Sequence, residues 1–403
     1  MPPTSQYESV SVDETGDATP VKPRAKMPCG IERRHRKSMT LFVCLATAFI
    51  FAVNGGVLLV VIPVLAEDFN TTTEIAAWAN IIPMFIAAMI GTQMGKVADK
   101  YGRARTWHVG MSFELISHAA CGWAGSMPQL LAGRAIGGLG MGIGAGSAFG
   151  LMAAGMPPKQ RGVAAAWMML MGTLGRSFGT SIGGIVMDAY GWRWLFIGPV
   201  PVLVMFWVTA YFVLPFDAIG GGGGGGGDPG KKGAPPAKDA PLDWAGSVAL
   251  AVGLSFCLIF VNRGNEWGWG SPIIITVMIL AAVTLPILAC IEKKAEAPII
   301  PFSVFQDHVS ALCIIISNTS SFNIGGFQMI PIYLQLARGM NPGDVGLLVM
   351  FRPMMGAAVS FTLSRTVMKR PDPPYRFLIR MGSVFNFLSC VALPFVYILP
   401  LTT

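Results

Sequence analysis

Long apolar runs alternate with short polar breaks through most of this chain. The runs fall at 39–64, 75–94, 106–125, 128–154, 162–187, 194–215, 244–262, 272–291, 309–335, 343–364 and 377–399. A run of about 18 or more apolar residues is long enough to cross a bilayer as a helix. About eleven in succession predict an all-α, polytopic membrane protein, because a single soluble core needs no runs of this length. The breaks sort by charge. One alternate set holds Lys96 to Arg105, Lys159 with Arg161, Lys231, Lys232 and Lys238, Lys293 with Lys294, and Arg365 to Arg376. The other set holds only the bases Arg193, Arg263 and Arg338. Lys and Arg gather in cytoplasmic loops, so the alternation supports the span count and predicts a cytoplasmic N-terminus.

Composition agrees. Mean hydropathy is +0.58, and charged residues are 12% of the chain, where a soluble domain carries about 25%. The net charge of +8 therefore reflects the inner loops and implies no nucleic-acid partner. Cys29, Cys44, Cys121, Cys257, Cys290, Cys313 and Cys390 are scattered, mostly in apolar runs and without a C-x-x-C pair. They read as small packing residues rather than a metal or redox site, and no cofactor is implied. Residues 1–38 are polar and end in the basic cluster Arg33, Arg34, Arg36 and Lys37. This is a disordered cytoplasmic tail by composition, whose bases set orientation or also touch anionic lipid. The first apolar run is too long for a cleaved leader and is expected to stay as a first helix.

Residues 216–243 interrupt the pattern with Gly220 to Gly227, Asp228, Pro229, Gly230, Lys231 and Lys232. This is a flexible linker. It nearly spells a phosphate-binding loop, but Lys232 stands where Ser or Thr would hold magnesium, and no soluble strand precedes it. The linker sets off a six-helix unit, 39–215, from a hairpin, 244–291, and a last segment, 309–403. The first outer break carries Glu67, Asp68 and Glu74, and its Asn70-Thr71-Thr72 is a glycosylation acceptor in a host that glycosylates.

The break Gly95-Lys96-Val97-Ala98-Asp99-Lys100-Tyr101-Gly102-Arg103-Ala104-Arg105 resembles the loop G-x-L-A-D-R-x-G-R-x-R of the major facilitator superfamily of transporters. Glycines, acid and bases fall in order, with Val97 for Leu and Lys100 for Arg. In that superfamily this loop, here Gly95, Asp99, Gly102, Arg103 and Arg105, latches the first half to a helix late in the second. Trp192-Arg193-Trp194-Leu195-Phe196 resembles the W-R-W-I/L-F signature of the fourteen-helix drug/proton antiporter branch. Ala77-Trp78, Leu242-Asp243-Trp244-Ala245-Gly246 and Ile332-Tyr333-Leu334-Gln335 fit the same branch. The resemblance implies a bundle of two six-helix halves, an inserted hairpin, and alternating access of a small-molecule substrate. Gly175, Gly179, Gly183 and Gly184 resemble the antiporter motif G-x-x-x-G-P-x-x-G-G, with Thr180 in place of the proline. That proline kinks a helix, so the usual geometry is not implied here.

Charges inside the apolar runs are the candidate chemistry, since ionisable groups in a membrane are costly and usually face a cavity or a partner. Arg134 stands in a glycine-dense run, Leu131 to Gly142. It reads either as an arginine reaching the outer interface or as a buried functional group, and the resemblance ties it to substrate binding or proton coupling. Arg176 lies near mid-span. Aligning the branch's first-helix pattern D-x-T-I-V-N-V-A-L-P on Pro63 puts Asn54 at the acid. A proton would then need another carboxylate, for which Glu114, four residues before His118, is the candidate. The alternative is a locally satisfied polar pair. Arg134, Arg176 and Arg352 outnumber Glu114, which favours an anionic substrate.

Spans nine to eleven supply only part of a second half, so the sequence reads as a fragment or a truncated product. Two functions follow: a secondary active exporter in the plasma membrane, driven by protons, or a non-transporting relative. No carboxylate pair, Ser/His/Asp set or metal-ligand spacing suggests an enzyme.

Overall fold

The computed structural model describes residues 33–156, 158–214, 244–294 and 329–366, with positions 11–12, 18–19 and a few between 311 and 388. The linker 216–243, most of the tail and most of the spans 309–335 and 377–399 lie outside the described residues. Ten helices follow in order: α1 (Arg33–Asp68), α2 (Thr73–Tyr101), α3 (Arg103–Gly122), α4 (Met127–Gly155), α5 (Pro158–Tyr190), α6 (Trp194–Ile197), α7 (Pro199–Val213), α8 (Trp244–Trp267), α9 (Pro272–Lys294) and, here called α10, Pro342–Thr366. Residues 329–338 are also helical. Ser11–Val12 pairs with Ala18–Thr19 in a two-residue antiparallel ladder.

Six described helices are long and apolar enough to cross a membrane: Ser38–Asp68, Thr73–Gly91, Met127–Ala153, Trp194–Val213, Ala245–Trp267 and Pro272–Lys293. The sixth span joins α6 and α7 through Gly198, which keeps helical angles. α3, α5 and α10, which hold Glu114, Arg176 and Arg352, are not among these six.

Two boundaries differ from the apolar pattern. α1 begins at Arg33, so the basic cluster is helical. The charged break Gly95 to Arg105 is not a loop, because α2 runs to Tyr101 and α3 starts at Arg103. Only Gly102 turns the chain, at φ 101°, a left-handed conformation that glycine adopts without a Cβ penalty. Lys and Arg are good helix formers, so charge marked the membrane exit without ending the helix.

Inside a bilayer, apolar surface gives helices no reason to prefer each other over lipid, so close packing through small residues decides association. α4 shows this on two faces. A Cβ at Gly133 or Gly137 would meet Cys121 or Ser117 of α3, and one at Gly140 would meet the backbone of Glu114. Gly138 and Gly142 take Pro83, Ile86 and Ile90 of α2 in the same way. α1 lies on α5, α5 also lies on α10, and α8 pairs with α9. Val202, Met205 and Phe212 of α7, with Val248 and Ile273 of the hairpin, are exposed and suit lipid.

Two apolar cores cap the bundle at opposite ends. One gathers Leu58, Val61, Leu65, Ala76, Leu130 and Phe196, and takes in Val345 and Val349 of α10 with Ile330, Ile332 and Leu334. The other gathers Val43, Cys44, Trp107, Met111, Leu151 and Leu203, all from α1, α3, α4 and α7. Among the described residues, the first six spans therefore meet residues 329–366 at the end bearing Asp68 and Trp192.

Candidate functional site

A buried cluster of polar side chains joins four helices of the bundle. Glu114, His118 and Arg134 expose 1%, 4% and 3% of their surface. Asn54 of α1 donates its amide Nδ2 to Glu114 Oε1 of α3 at 2.6 Å. Arg134 of α4 donates Nη1 to Asn54 Oδ1 at 3.1 Å and Nε to the carbonyl of Ala79, in α2, at 2.9 Å. A guanidinium only donates and a carboxylate only accepts. Asn54 can serve both only with its oxygen toward Arg134 and its NH2 toward Glu114, and only while Glu114 offers a lone pair. The network is thus one acidic and one basic side chain with an amide between them.

Its neighbours make room and hold the geometry. Gly137 lacks the Cβ that would press on Ser117 and approach Glu114 Oε2, and Ser117 Oγ donates to the Gly133 carbonyl at 2.7 Å. His118 Nδ1 lies 3.0 Å from the Glu114 backbone carbonyl, a contact that needs a hydrogen on Nδ1. Its 3.7 Å separation from Glu114 Oε1 is an ion-pair distance, too long for a hydrogen bond. His118 thus borders the network, and its ring meets Phe196 edge-on at 6.3 Å.

Arg176 stands apart. It is half-buried in α5, its carbonyl lies where a Cβ on Gly56 would fall, and its Nη1 is enclosed with no hydrogen-bond partner among the described residues. The structure puts Arg134 inside the first bundle and leaves Arg176 outside that network. The side chain of Arg352 lies outside the described residues.

The glycine motif of α5 works on two faces. A Cβ at Gly175 would overlap the Phe49 carbonyl, one at Gly179 the Val53 carbonyl, and one at Gly183 would press on Val57, all in α1. Gly184 turns to α10, where the Pro342 carbonyl fills its space. Two further contacts cross that seam. Gly343 N donates to Asp188 Oδ2 at 2.9 Å, and Ser181 Oγ donates to the Gly346 carbonyl at 3.2 Å. Gln335 Nε2 also donates to the Val60 carbonyl at 3.2 Å. At the opposite end, Arg103 pairs with Asp99 through Nε at 2.7 Å and donates Nη1 to the Gly150 carbonyl of α4 at 2.6 Å. Gly95 faces open space, and Arg105 is exposed. In this structure Asp99 and Arg103 bind each other and the end of α4.

Sequence reasoning missed the Ala79 carbonyl, the Asp188 to Gly343 contact and the bond from Trp192 Nε1 to Asp68 Oδ2 at 2.9 Å. Backbone carbonyls carry no signal in a sequence. Asp188 did, as an acid closing an apolar run.

A family model described as the Major Facilitator Superfamily matches residues 44–402. The chain belongs to the major facilitator superfamily. It is a multi-pass membrane protein, built from helices of a transporter family. Multidrug resistance protein 3 of Bacillus subtilis is 31% identical over 293 residues, covering 70% of this chain and 52% of that protein. The tetracenomycin C resistance and export protein of Streptomyces glaucescens is 24% identical over 340 residues, covering 81% and 60%. The superfamily chain spans about half the length of these curated relatives. A crystal structure of the peptide transporter POT in complex with sulfate shares the fold at a TM-score of 0.51 and 14% identity, covering 85% and 74%.

Proposed function

We propose that this chain serves secondary active export of a small molecule across the plasma membrane, by alternating access and coupled to protons. The observation that carries the reading is the buried Asn54, Glu114 and Arg134 network, which joins α1, α3 and α4 through one titratable carboxylate. If Glu114 takes a proton, Arg134 is left as a buried cation without its counter-charge, and a lone charge in a membrane is expensive. Rearrangement of the network relieves that cost.

With the N-terminus cytoplasmic, the seam between α5 and α10 lies on the outer side, and the arrangement corresponds to closure outside. In this reading residues 39–215 form one rocking half, 216–243 the inner linker, 244–291 a peripheral hairpin, and 309–403 the other half's contribution. Substrate binds between the halves. Arg176 is the charged side chain best placed to meet it, because its enclosed amino group has no protein partner among the described residues. That favours an anionic, partly apolar compound. The names of the two relatives, a multidrug resistance protein and a resistance and export protein, support export.

The test is flux of matched anionic and cationic dyes in vesicles under an imposed pH gradient. The anion is expected to move faster, to need the gradient, and to lose its advantage in Arg176→Gln. Faster movement of the cation overturns the anionic preference, flux indifferent to the gradient overturns proton coupling, and absence of flux overturns the function.

A further inference from the structure

The 2.6 Å bond between residues 54 and 114 joins an amide to an acid, and their positions are interchangeable in principle. Asn and Asp share one heavy-atom skeleton, and so do Gln and Glu. Place Asp at 54 and Gln at 114 and the same bond forms with its direction reversed, because the Gln amide donates to the Asp carboxylate. The 3.1 Å contact from Arg134 Nη1 to Oδ1 of residue 54 then becomes a direct ion pair. The Arg134 bond to the Ala79 carbonyl is untouched, and so is the packing of Gly137 and Ser117. No atom need move and no polar atom loses its partner.

We propose that residues 54 and 114 form one acid–amide pair in which the site requires a single carboxylate, on either helix, bridged to Arg134. Asn54 is then a positioning residue. It carries the charge state of Glu114 across to Arg134, because its NH2 reads the carboxylate while its carbonyl holds the guanidinium. Two acids would set oxygen against oxygen across the 2.6 Å bond. Two amides would leave Arg134 without a counter-charge. Only the mixed pairs set a donor against an acceptor across this bond and keep one counter-charge for Arg134.

The experiment uses the full chain and three variants: Glu114→Gln, Asn54→Asp, and the double Asn54→Asp/Glu114→Gln. The first readout is thermal unfolding of purified protein in detergent. The second is dye flux in vesicles driven by a pH gradient, which alone rests on the proposed function. Each single variant is expected to unfold about 5 °C lower and to lose gradient-driven flux by about a hundredfold. The double variant is expected to regain the unfolding temperature and most of the flux. A double variant no more stable than the weaker single one overturns the exchange, and so does a single variant as stable as the parent. Recovered stability with no flux from any protein, parent included, upholds the exchange and removes the transport reading. Gradient-driven flux in the parent with no recovery in the double variant does the reverse.

Discussion

Replacing Arg134 by Met keeps the length and apolar bulk of the side chain and removes its charge. Two costs compete. The first is loss of the hydrogen bonds to Ala79 and Asn54. Polar contacts between membrane helices average about 0.6 kcal/mol and reach about 1.7, so this loss is about 1–3 kcal/mol. The second is electrostatic, because Glu114 loses its counter-charge across the bridging amide. The charges sit roughly 7 Å apart, and Coulomb's law at an effective dielectric of about 20 gives about 2.4 kcal/mol. Together they bring Arg134→Met to about 3–5 kcal/mol, the usual cost of leaving one member of a buried pair alone. The electrostatic cost vanishes once Glu114 is also neutral. Arg134→Met/Glu114→Gln is therefore expected to cost about 2 kcal/mol less than the sum of the single changes. Reversible unfolding in mixed micelles, run as a double-mutant cycle, measures this. Additivity within about 0.5 kcal/mol would refute a charge link through Asn54, and would leave Arg134 as a packing residue with two hydrogen bonds.

Two further outcomes test the seams of the bundle. Gly179→Leu forces α5 off the Val53 carbonyl of α1 and should cost about 1–3 kcal/mol, while Gly172→Ala, which meets nothing, should be near neutral; equal effects in thermal unfolding would deny the packing role. Asp188→Asn removes the charge at the N-terminus of α10, worth about 0.3–1 kcal/mol. Labelling of Thr180→Cys, at a buried position on that seam, by an impermeant maleimide added outside should then rise about two- to fivefold; unchanged labelling would mean that this contact does not hold the halves closed.

Arg134, Glu114 and Asn54 were legible as candidates because charge or amide inside an apolar run is costly and therefore conspicuous. That they form one network was not legible, since Asn54 and Glu114 are 60 residues apart and no periodicity links α1 to α3. Arg134 and Arg176 looked alike in the sequence. One proved to be enclosed and satisfied, the other enclosed on one nitrogen and unsatisfied among the described residues. The charged run Gly95 to Arg105 read as a loop, yet the helices continue to Tyr101 and from Arg103. The glycines of α5 were legible as a packing stripe, but only the structure divides them between α1 and α10.

The sequence by itself determined that the described spans are helices. In lipid every backbone group must bond within its own segment, so each described apolar run lies in helix, even where the helix continues past it. Tertiary structure decided which helix faces which and which polar groups share a site. Lipid is as apolar as any helix face, so hydrophobicity cannot choose among neighbours. The choice falls to close contact at glycines and to the matching of single donors with single acceptors, such as Asn54 between Glu114 and Arg134, and those depend on atoms brought together from distant parts of the chain.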